Sequence, residues 1–398
     1  MCITYILSRK VIVVDGIFIY DCNLNIEKFI HMLDDSTECY KFYWLDSIMQ
    51  LLAEQEECIT FDKIISRMIA DAWYSVTEYH LRMGTKDNQG NSVNSIERAI
   101  NKLDELNYLE HTADKRQVLN VVEENDKLLH DEKCQIAKNV PYRLLSSFMK
   151  ELGGNDPLWD QRKKLVAYIK IINESRCMPY TIGTERGLNR KIIIEERWKN
   201  FLVDNMVSIR GWIQMKKVRY LQDKNPDVPG IIYKLEPENE KHRKLQNVRK
   251  LWSAIWHISG IKDIYSGTQL GKKEYEIDHF IPWSFVTNDE MWNLMPVNSS
   301  LNSSKKNKLP DWNRYFKRFA ENQFLLNNMV YEYEELALLF RKCKRDNLNS
   351  LWSVDELYIK EIKKDEFFYV LEGRLKPIYE SARTQGYGIW RAGSNSQL

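Results

Sequence analysis

The segment 271–310 constrains the fold of this 398-residue chain most, because turn residues divide it into short elements. The run 275–281, YEIDHFI, is rich in large and β-favouring residues and ends at Pro282, which predicts a strand. Residues 287–289, TND, are turn formers, and 292–297 then has the composition of a second short strand. The segment therefore predicts two strands joined by a turn.

The second strand and the helix behind it are delimited by prolines and a capping residue. Pro296 lacks a backbone N–H, so this strand must be an edge strand or bend there. Asn298 or Ser299 can cap a helix that covers residues 300–308, and Pro310 stops it. Two short strands followed by one short helix are the predicted local fold.

Polar side chains fall where the first strand and the helix come together. Asp278 and His279 are adjacent, and strand alternation points them to opposite faces, so both reach one site only if the strand ends or bulges there. Asn302, Lys305 and Lys306 stand three and four apart, which predicts a shared helix face. That face brings an amide oxygen and two cations toward the end of the strand.

These residue types favour a hard divalent cation. A carboxylate and an amide oxygen suit Mg²⁺ or Mn²⁺ better than Zn²⁺. The seven cysteines include no CxxC pair, which fits reduced thiols better than a zinc ribbon. With oxygen ligands on the metal, His279 is left to take a proton from water.

This block resembles the HNH nuclease domain of RNA-guided CRISPR nucleases and of related bacterial HNH endonucleases. The matching positions are an Asp-His pair and the polar and turn residues downstream of it: Asp278, His279, Asn293, Asn302, Lys305, Leu309 and Pro310. The spacings from His279 to Asn302 and from Asn293 to Asn302 also match that family. Upstream, residues 264–267, IYSG, resemble the turn that precedes the Asp-His strand there.

The resemblance covers about residues 250–320 and implies a ββα fold around one metal ion. It implies His279 as the general base, and Asp278 and Asn302 as the metal ligands. It also implies that Asn293 braces the hairpin. Many HNH enzymes have a third histidine where Asn302 stands, and many have paired cysteines for a structural zinc. This chain has neither, so no zinc site is carried over.

Basic residues flank this block on both sides. The run 241–250, KHRKLQNVRK, precedes it, and a second cluster lies within 305–318. Together they predict contacts to a phosphate backbone, with a solvated helix face as the alternative. The predicted nucleic-acid contacts are Arg243, Lys244, Arg249, Lys250, Lys305 and Lys306.

Composition places the chain among ordinary soluble globular proteins. Hydrophobic residues make up 43% and charged residues 29%, and the formal net charge is only +2. A nucleic-acid surface must therefore arise from local clustering of basic residues. No apolar run approaches the length of a membrane span, so we expect a cytoplasmic protein without a membrane partner.

Helical periodicity dominates outside this block. Amphipathic segments near 41–54, 61–80 and 95–106 predict helices, and 197–221 predicts a long helix broken near Gly211. The predicted fold class is α+β, with predominantly α-helical N-terminal and middle regions and a ββα-metal nuclease domain near the C-terminus.

Four domains are predicted. They are a mostly helical N-terminal domain of unknown role at 1–135, a middle α-rich domain with its linker at 136–245, the HNH nuclease domain at 246–325, and a C-terminal helical extension at 326–398. The stretch 223–240 contains three prolines and little periodicity, which is typical of a linker.

The predicted function is metal-dependent hydrolysis of DNA phosphodiester bonds. A large region fused to an HNH module is typical of bacterial restriction or anti-phage effectors. One such site cuts one strand, so a double-strand break needs a homodimer, a partner protein or two visits. Two alternatives stay open: a nucleic-acid-binding or complex-forming protein whose HNH domain is only a scaffold, and an RNA-cleaving toxin.

Overall fold

The computed structural model describes residues 12–14, 17–19, 24–34, 36–89, 92–149, 162–175, 177–235, 243–271 and 275–393. Among these residues helices predominate and strands are short, which confirms the predicted α+β, mostly helical class. The chain divides into two compact units, Met1–Pro226 with Leu235–Pro237, and Asp227–Lys234 with Glu238–Leu398. The predicted division into four domains is finer than these two units, and it stays a prediction.

The first unit begins with a small antiparallel hairpin and continues mainly as helices. Its strands are β1 (Ile12–Val14), β2 (Ile17–Ile19), β3 (Thr181–Ile182) and β4 (Ile192–Ile193), paired β1 with β2 and β3 with β4. Its helices are α1 (Ile26–Ile30), α2 (Tyr40–Ala53), α3 (Phe61–Thr77), α4 (Ser95–Asp104), α5 (Lys115–Glu124), α6 (Asp126–Arg143), α7 (Ser146–Met149), α8 (Arg162–Ser175), α9 (Glu196–Asp204) and α10 (Met206–Lys224).

Side-chain caps explain where several of these helices start. The hydroxyl of Thr60 accepts from the backbone N–H of the third residue of α3. Asn94 caps α4 in the same way, and Asp114 forms a reciprocal capping box at α5. Each cap satisfies backbone donors that the first helical turn leaves without a partner. The predicted helices 61–80 and 95–106 therefore begin at their predicted first residues, and α2, which has no side-chain cap, also lies close to its predicted position.

The position of one helix break in the first unit differs from the prediction. The break in the predicted helix 197–221 lies at Asn205 and not at Gly211. Both the backbone N–H and the side-chain amide of Asn205 donate to the carbonyl of Phe201, at 3.1 and 2.9 Å, which ends α9. Gly211 continues inside α10, because a single helical glycine costs only about 1 kcal/mol relative to alanine.

The second unit contains the predicted ββα block and a set of longer helices. Its strands are β5 (Tyr275–His279), β6 (Leu294–Asn298), β7 (Leu309–Pro310) and β8 (Ile389–Trp390). Its helices are α11 (Gln246–Ser259), α12 (Trp283–Val286), α13 (Ser299–Lys305), α14 (Trp312–Glu332), α15 (Glu334–Asn347) and α16 (Lys364–Thr384). Strand β5 pairs antiparallel with β6, and β7 pairs parallel with β8.

The β5–β6 hairpin forms as the sequence predicts. Its register pairs Asp278 with Met295 and Ile277 with Pro296. Among the described residues this sheet consists of two strands, so Pro296 occupies an edge, as its missing donor requires. The second strand begins at Leu294, two residues later than predicted, because Met291–Asn293 form a 3₁₀ turn.

Helix α14 supports this hairpin from behind. The ring of Phe280 stacks on Phe319 with centroids 4.5 Å apart. The buried amide of Gln323 donates to the carbonyl of Leu294 at 2.8 Å, which satisfies an acceptor at the start of β6. The aromatic residues of α14 thus pack into the core, as their helical spacing indicates, and they fix the position of the strands.

Helix α13 is shorter than predicted. Asn298 caps it by accepting from the backbone N–H groups of Ser300 and Leu301. The helix ends at Lys305, and Lys306 has φ 49° and ψ −133°, outside helical geometry. The prediction that Lys306 shares a helical face with Asn302 is therefore wrong. Among the described helices, none is long and apolar enough to cross a membrane.

Candidate functional site

One face of β5 and one face of α13 meet through two polar contacts. Glu276 and Asp278 lie two residues apart on the strand, so they share a face, and Asn302 and Lys305 lie three apart on the helix. The amide Nδ2 of Asn302 donates to Glu276 Oε2 at 2.8 Å. The ammonium of Lys305 lies 3.1 Å from Asp278 Oδ2. We call these four residues the acid–amide cluster.

The carboxylate of Asp278 is held on one of its two oxygens. Oδ2 contacts the Lys305 ammonium and also accepts from the hydroxyl of Tyr265 at 3.3 Å. Burial, followed by the charges of Asp278 and Asp263, raises the pKa of Tyr265 well above its ordinary value, so the hydroxyl keeps its proton and donates. Neither of these two contacts involves Oδ1 of Asp278. Another ligand could therefore bind to Oδ1 without displacing them.

The turn that carries Tyr265 is organised by a buried carboxylate. Asp263 Oδ1 accepts from the backbone N–H of Tyr265 at 2.8 Å and of Ser266 at 2.7 Å. Its Oδ2 accepts from the backbone N–H of Asn298 at 2.6 Å, at the end of β6. Asp263 thereby ties this turn to the start of α13 and fixes Tyr265 beside Asp278.

His279 lies on the opposite face of β5 and is almost fully buried, with 3% exposure. Its Nε2 lies 3.1 Å from the carbonyl oxygen of Asn288 and 3.1 Å from Asp289 Oδ1. Both neighbours only accept hydrogen bonds, which assigns the ring proton to Nε2 and the lone pair to Nδ1. Burial lowers the pKa of His279 and outweighs the raising effect of Asp289, so the neutral ring is favoured.

Arg243 lies against the lone-pair side of this histidine. Its terminal nitrogen is 3.3 Å from His279 Nδ1, and its Nε donates to Asp289 Oδ1 at 3.1 Å. The backbone N–H of Lys244 donates to the other oxygen of Asp289 at 3.1 Å. Burial raises the pKa of Asp289, but the bond from His279 and the charge of Arg243 outweigh it, so the net pKa is lowered. Asp289 is thus an ionised carboxylate that orients both side chains.

Asn293 braces the chain that follows His279. Its side chain is fully buried, accepts from the backbone N–H of Ile281 at 2.8 Å and donates to the carbonyl of Ile281 at 2.8 Å. The backbone N–H of Phe280 also donates to the carbonyl of Asn293 at 2.9 Å. These bonds extend the β5–β6 pairing beyond the strand ends.

The predicted residues thus form two neighbouring groups. Asp278, Asn302 and Lys305 come together in the acid–amide cluster. His279, the last residue of β5, lies on the opposite face of the strand and contacts Asp289 and Arg243. Lys305 is buried at 1% exposure, so its ammonium faces Asp278 and not the surface. The side chains of Lys244, Arg249, Lys250 and Lys306 are exposed.

Four residues of these groups were not predicted from the sequence to be functional. They are Glu276, Asp289, Asp263 and Tyr265. Glu276 has a local signal, since it stands two residues before Asp278 and must share its face of the strand. Tyr265 lies in the turn 264–267 that the sequence singled out, and Asp263 precedes this turn. The contacts of Tyr265 with Asp278, of Asp263 with Asn298 and of Asp289 with His279 join separate elements, and a single sequence carries no signal for them.

The donor set of the acid–amide cluster suits a hard divalent cation. Carboxylate and amide oxygens are the ligands that Mg²⁺ and Mn²⁺ prefer. In the part of the chain that the structure describes, no group of three or more His, Cys, Asp or Glu side chains gathers into a metal site. The oxygen donors of this cluster are the carboxylates of Glu276 and Asp278 and the amide oxygen of Asn302.

Comparison with known proteins identifies this region. Residues 263–311 match a family model described as HNH endonuclease. No curated protein and no solved structure matches the chain. The matched stretch starts at Asp263 and ends at Asp311, so it contains the acid–amide cluster, His279, Asp289 and Asn293, while Arg243 lies outside it.

Proposed function

Given that residues 263–311 form an HNH endonuclease domain, we propose that this protein hydrolyses DNA phosphodiester bonds with the help of Mg²⁺ or Mn²⁺. One observation carries the proposal: a buried histidine with its Nε2 proton held stands next in the chain to a carboxylate of the acid–amide cluster. This arrangement supplies a proton acceptor and hard metal ligands at the end of one strand.

His279 acts as the general base in this proposal. Nε2 is held by Asn288 and Asp289, so Nδ1 is the atom that removes a proton from the attacking water. Asp289 then stabilises the positive charge that the ring acquires. Arg243 must leave Nδ1 before water can bind there. Its 3.3 Å hydrogen bond is long, so breaking it costs little.

Asp278 and Asn302 hold the divalent cation in this proposal, through Asp278 Oδ1 and the amide oxygen. The bound ion supplies stabilisation of charge on the phosphate and on the leaving oxygen. Lys305 balances the charge of Asp278, because its buried ammonium contacts that carboxylate. We assign Lys305 to this role in preference to a phosphate contact, and Asn293 to bracing the hairpin.

The exposed basic residues Arg249 and Lys250 on α11, with Lys306 after α13, are the proposed contacts to the DNA backbone. For the biological role, we propose a bacterial restriction or anti-phage effector in the cytoplasm. The support is architectural: a small nuclease block is joined to a much larger helical unit. One site cuts one strand, so a double-strand break requires a homodimer, a partner protein or two visits.

The test is a cleavage assay on supercoiled plasmid DNA and on RNA in parallel, with and without Mg²⁺. We expect Mg²⁺-dependent nicking of the plasmid by the wild-type protein. His279→Ala should lower the rate by about 10²–10⁴, as is typical for loss of a positioned general base. His257→Ala is the matched control, because His257 is exposed on α11. Cleavage of RNA alone would favour the toxin alternative, and cleavage of neither would favour a binding protein.

A further inference from the structure

Glu276 occupies a position from which it can control one of the proposed metal ligands. It lies on β5 opposite Val297 of β6, so its backbone is fixed by the hairpin register. Its side chain is exposed, and Oε2 accepts from Nδ2 of Asn302 at 2.8 Å. The cap by Asn298 fixes the start of the helix that carries Asn302. Both ends of this hydrogen bond therefore sit on defined backbone.

The chemistry of this bond decides which way the amide faces. An ionised carboxylate has acceptor oxygens only, whereas an amide has one donor end and one acceptor end. Glu276 can therefore pair only with the NH₂ end of Asn302. The amide oxygen must then point away from Glu276, and it is the end of the group that can ligate a cation. Without the carboxylate, two amide orientations of nearly equal shape compete.

We propose that Glu276 is a positioning residue that orients the Asn302 amide so that its oxygen is presented to a divalent cation. The proposal rests on the proposed function, since it assumes that Asn302 binds the metal. Groups that orient metal ligands typically contribute 10–100-fold to metal affinity. Glu276 acts through Asn302 and does not touch the reacting atoms.

The experiment measures Mn²⁺ binding to the full-length protein without DNA, by electron paramagnetic resonance of the free ion. Glu276→Ala should weaken Mn²⁺ binding by about 10-fold or more. Glu276→Gln should lose less affinity than Glu276→Ala, because its carbonyl oxygen can still accept from Asn302, although its NH₂ end can also pair with the Asn302 amide oxygen. Glu276→Thr is a second truncation, chosen because threonine favours strands and keeps β5 intact. Glu335→Ala removes an exposed carboxylate of α15 and controls for a general charge effect.

Three results would overturn the proposal. Wild-type affinity in Glu276→Ala and Glu276→Thr would show that the contact does not matter. An equal loss in Glu276→Gln would assign the effect to charge or to direct ligation. A further loss caused by Glu276→Ala in an Asn302→Ala background would do the same, because a residue that acts only through Asn302 has no effect once Asn302 is gone.

Asp278→Ala separates this proposal from the proposed function. It should abolish Mn²⁺ binding at the site. If it does so while the Glu276 variants bind normally, only the positioning role is overturned. If Asp278→Ala binds Mn²⁺ like the wild type, the metal site itself is wrong, and the role of Glu276 is overturned with it.

Discussion

At the scale of single residues, Lys305 illustrates how one contact changes an assignment. A lysine near a nuclease motif is first interpreted as a phosphate contact, because its charge suits DNA. In the structure its ammonium is buried and lies 3.1 Å from Asp278. A buried charge requires a partner, so the ion pair accounts for this lysine without any DNA.

Lys305→Met should therefore destabilise the protein and increase its response to Mg²⁺. Loss of one partner from a fully buried pair costs 3–5 kcal/mol, and we expect about 2 kcal/mol because the Asp278 side chain keeps 13% exposure. Added Mg²⁺ should raise the denaturation midpoint more in Lys305→Met than in wild type, since the ion replaces the missing charge. As an internal control, the double variant Asp278→Asn/Lys305→Met should recover part of the lost stability without Mg²⁺. Unchanged stability of Lys305→Met would contradict the assignment.

At the scale of secondary-structure elements, the bonds of Asn293 hold together the loop that follows β5. Asn293→Ala leaves both backbone groups of Ile281 without their partner inside the core. We expect a loss of about 2–3 kcal/mol in unfolding free energy, and slower nicking because the chain next to His279 shifts. Urea denaturation and the plasmid assay measure the two effects.

Asn302→Ala is the matched comparison for Asn293→Ala. Asn302 is only partly buried, so Asn302→Ala should have an unfolding free energy close to that of the wild type. The variant should, however, lose the stabilisation that added metal gives. Equal stability losses in both variants would argue that Asn293 has no special role in the hairpin.

A second prediction at this scale concerns His80, which follows α3 and adopts φ 53°. Burial lowers the pKa of His80 to about 4, and the charge of His111 adds a smaller lowering effect. The charge of Asp104 raises this pKa but does not outweigh them. The unfolded chain has an ordinary histidine pKa near 6.5, so it binds the proton first as the pH falls. Stability contributed by neutral His80 is thus complete above pH 6.5 and is lost as the pH falls toward 4. The loss is at most about 3 kcal/mol.

His80→Asn should remove this part of the pH dependence, because asparagine tolerates the left-handed backbone and does not titrate. The measurement is the difference in denaturation midpoint between pH 7 and pH 4.5, compared between variant and wild type. Other titrating groups affect both proteins equally. Identical pH dependence in the two proteins would show that His80 has the same pKa in the folded and unfolded chain and contributes no pH-dependent stability.

At the scale of the whole molecule, the formal net charge is only +2, so the proposed binding to DNA must come from basic residues that cluster on the surface. Arg249→Ala/Lys250→Ala should weaken binding to all DNA sequences about equally. Each lost phosphate contact should reduce the slope of log affinity against log salt by about 0.9. Arg341→Ala/Lys342→Ala removes an exposed basic pair from α15 and should leave the slope unchanged. If both double variants keep the wild-type slope, α11 presents only a solvated face.

The order of the elements in the nuclease block could be predicted because its determinants are local. Pro282 and Pro310 lie a few residues beyond β5 and α13, Pro296 lies inside β6, and Asn298 caps α13, so their effects depend on immediate neighbours. Asp278, His279 and Asn302 were nominated from their spacing, which resembles that of a known family. The end of α13 was misplaced, because Lys306 leaves the helix while its neighbours retain helical propensity.

The sequence by itself determined that the chain is mostly helical, that it contains a ββα block, and which side chains in this block could serve a metal. Only the tertiary structure decided that Lys305 pairs with Asp278, that Asp289 and Arg243 contact His279, and that Glu276 accepts a hydrogen bond from Asn302. The physical reason is the distance along the chain over which each kind of interaction acts. Strand alternation, helical spacing and caps act over a few residues, whereas these contacts join residues far apart in the chain. They exist only after the hairpin and α13 have packed together.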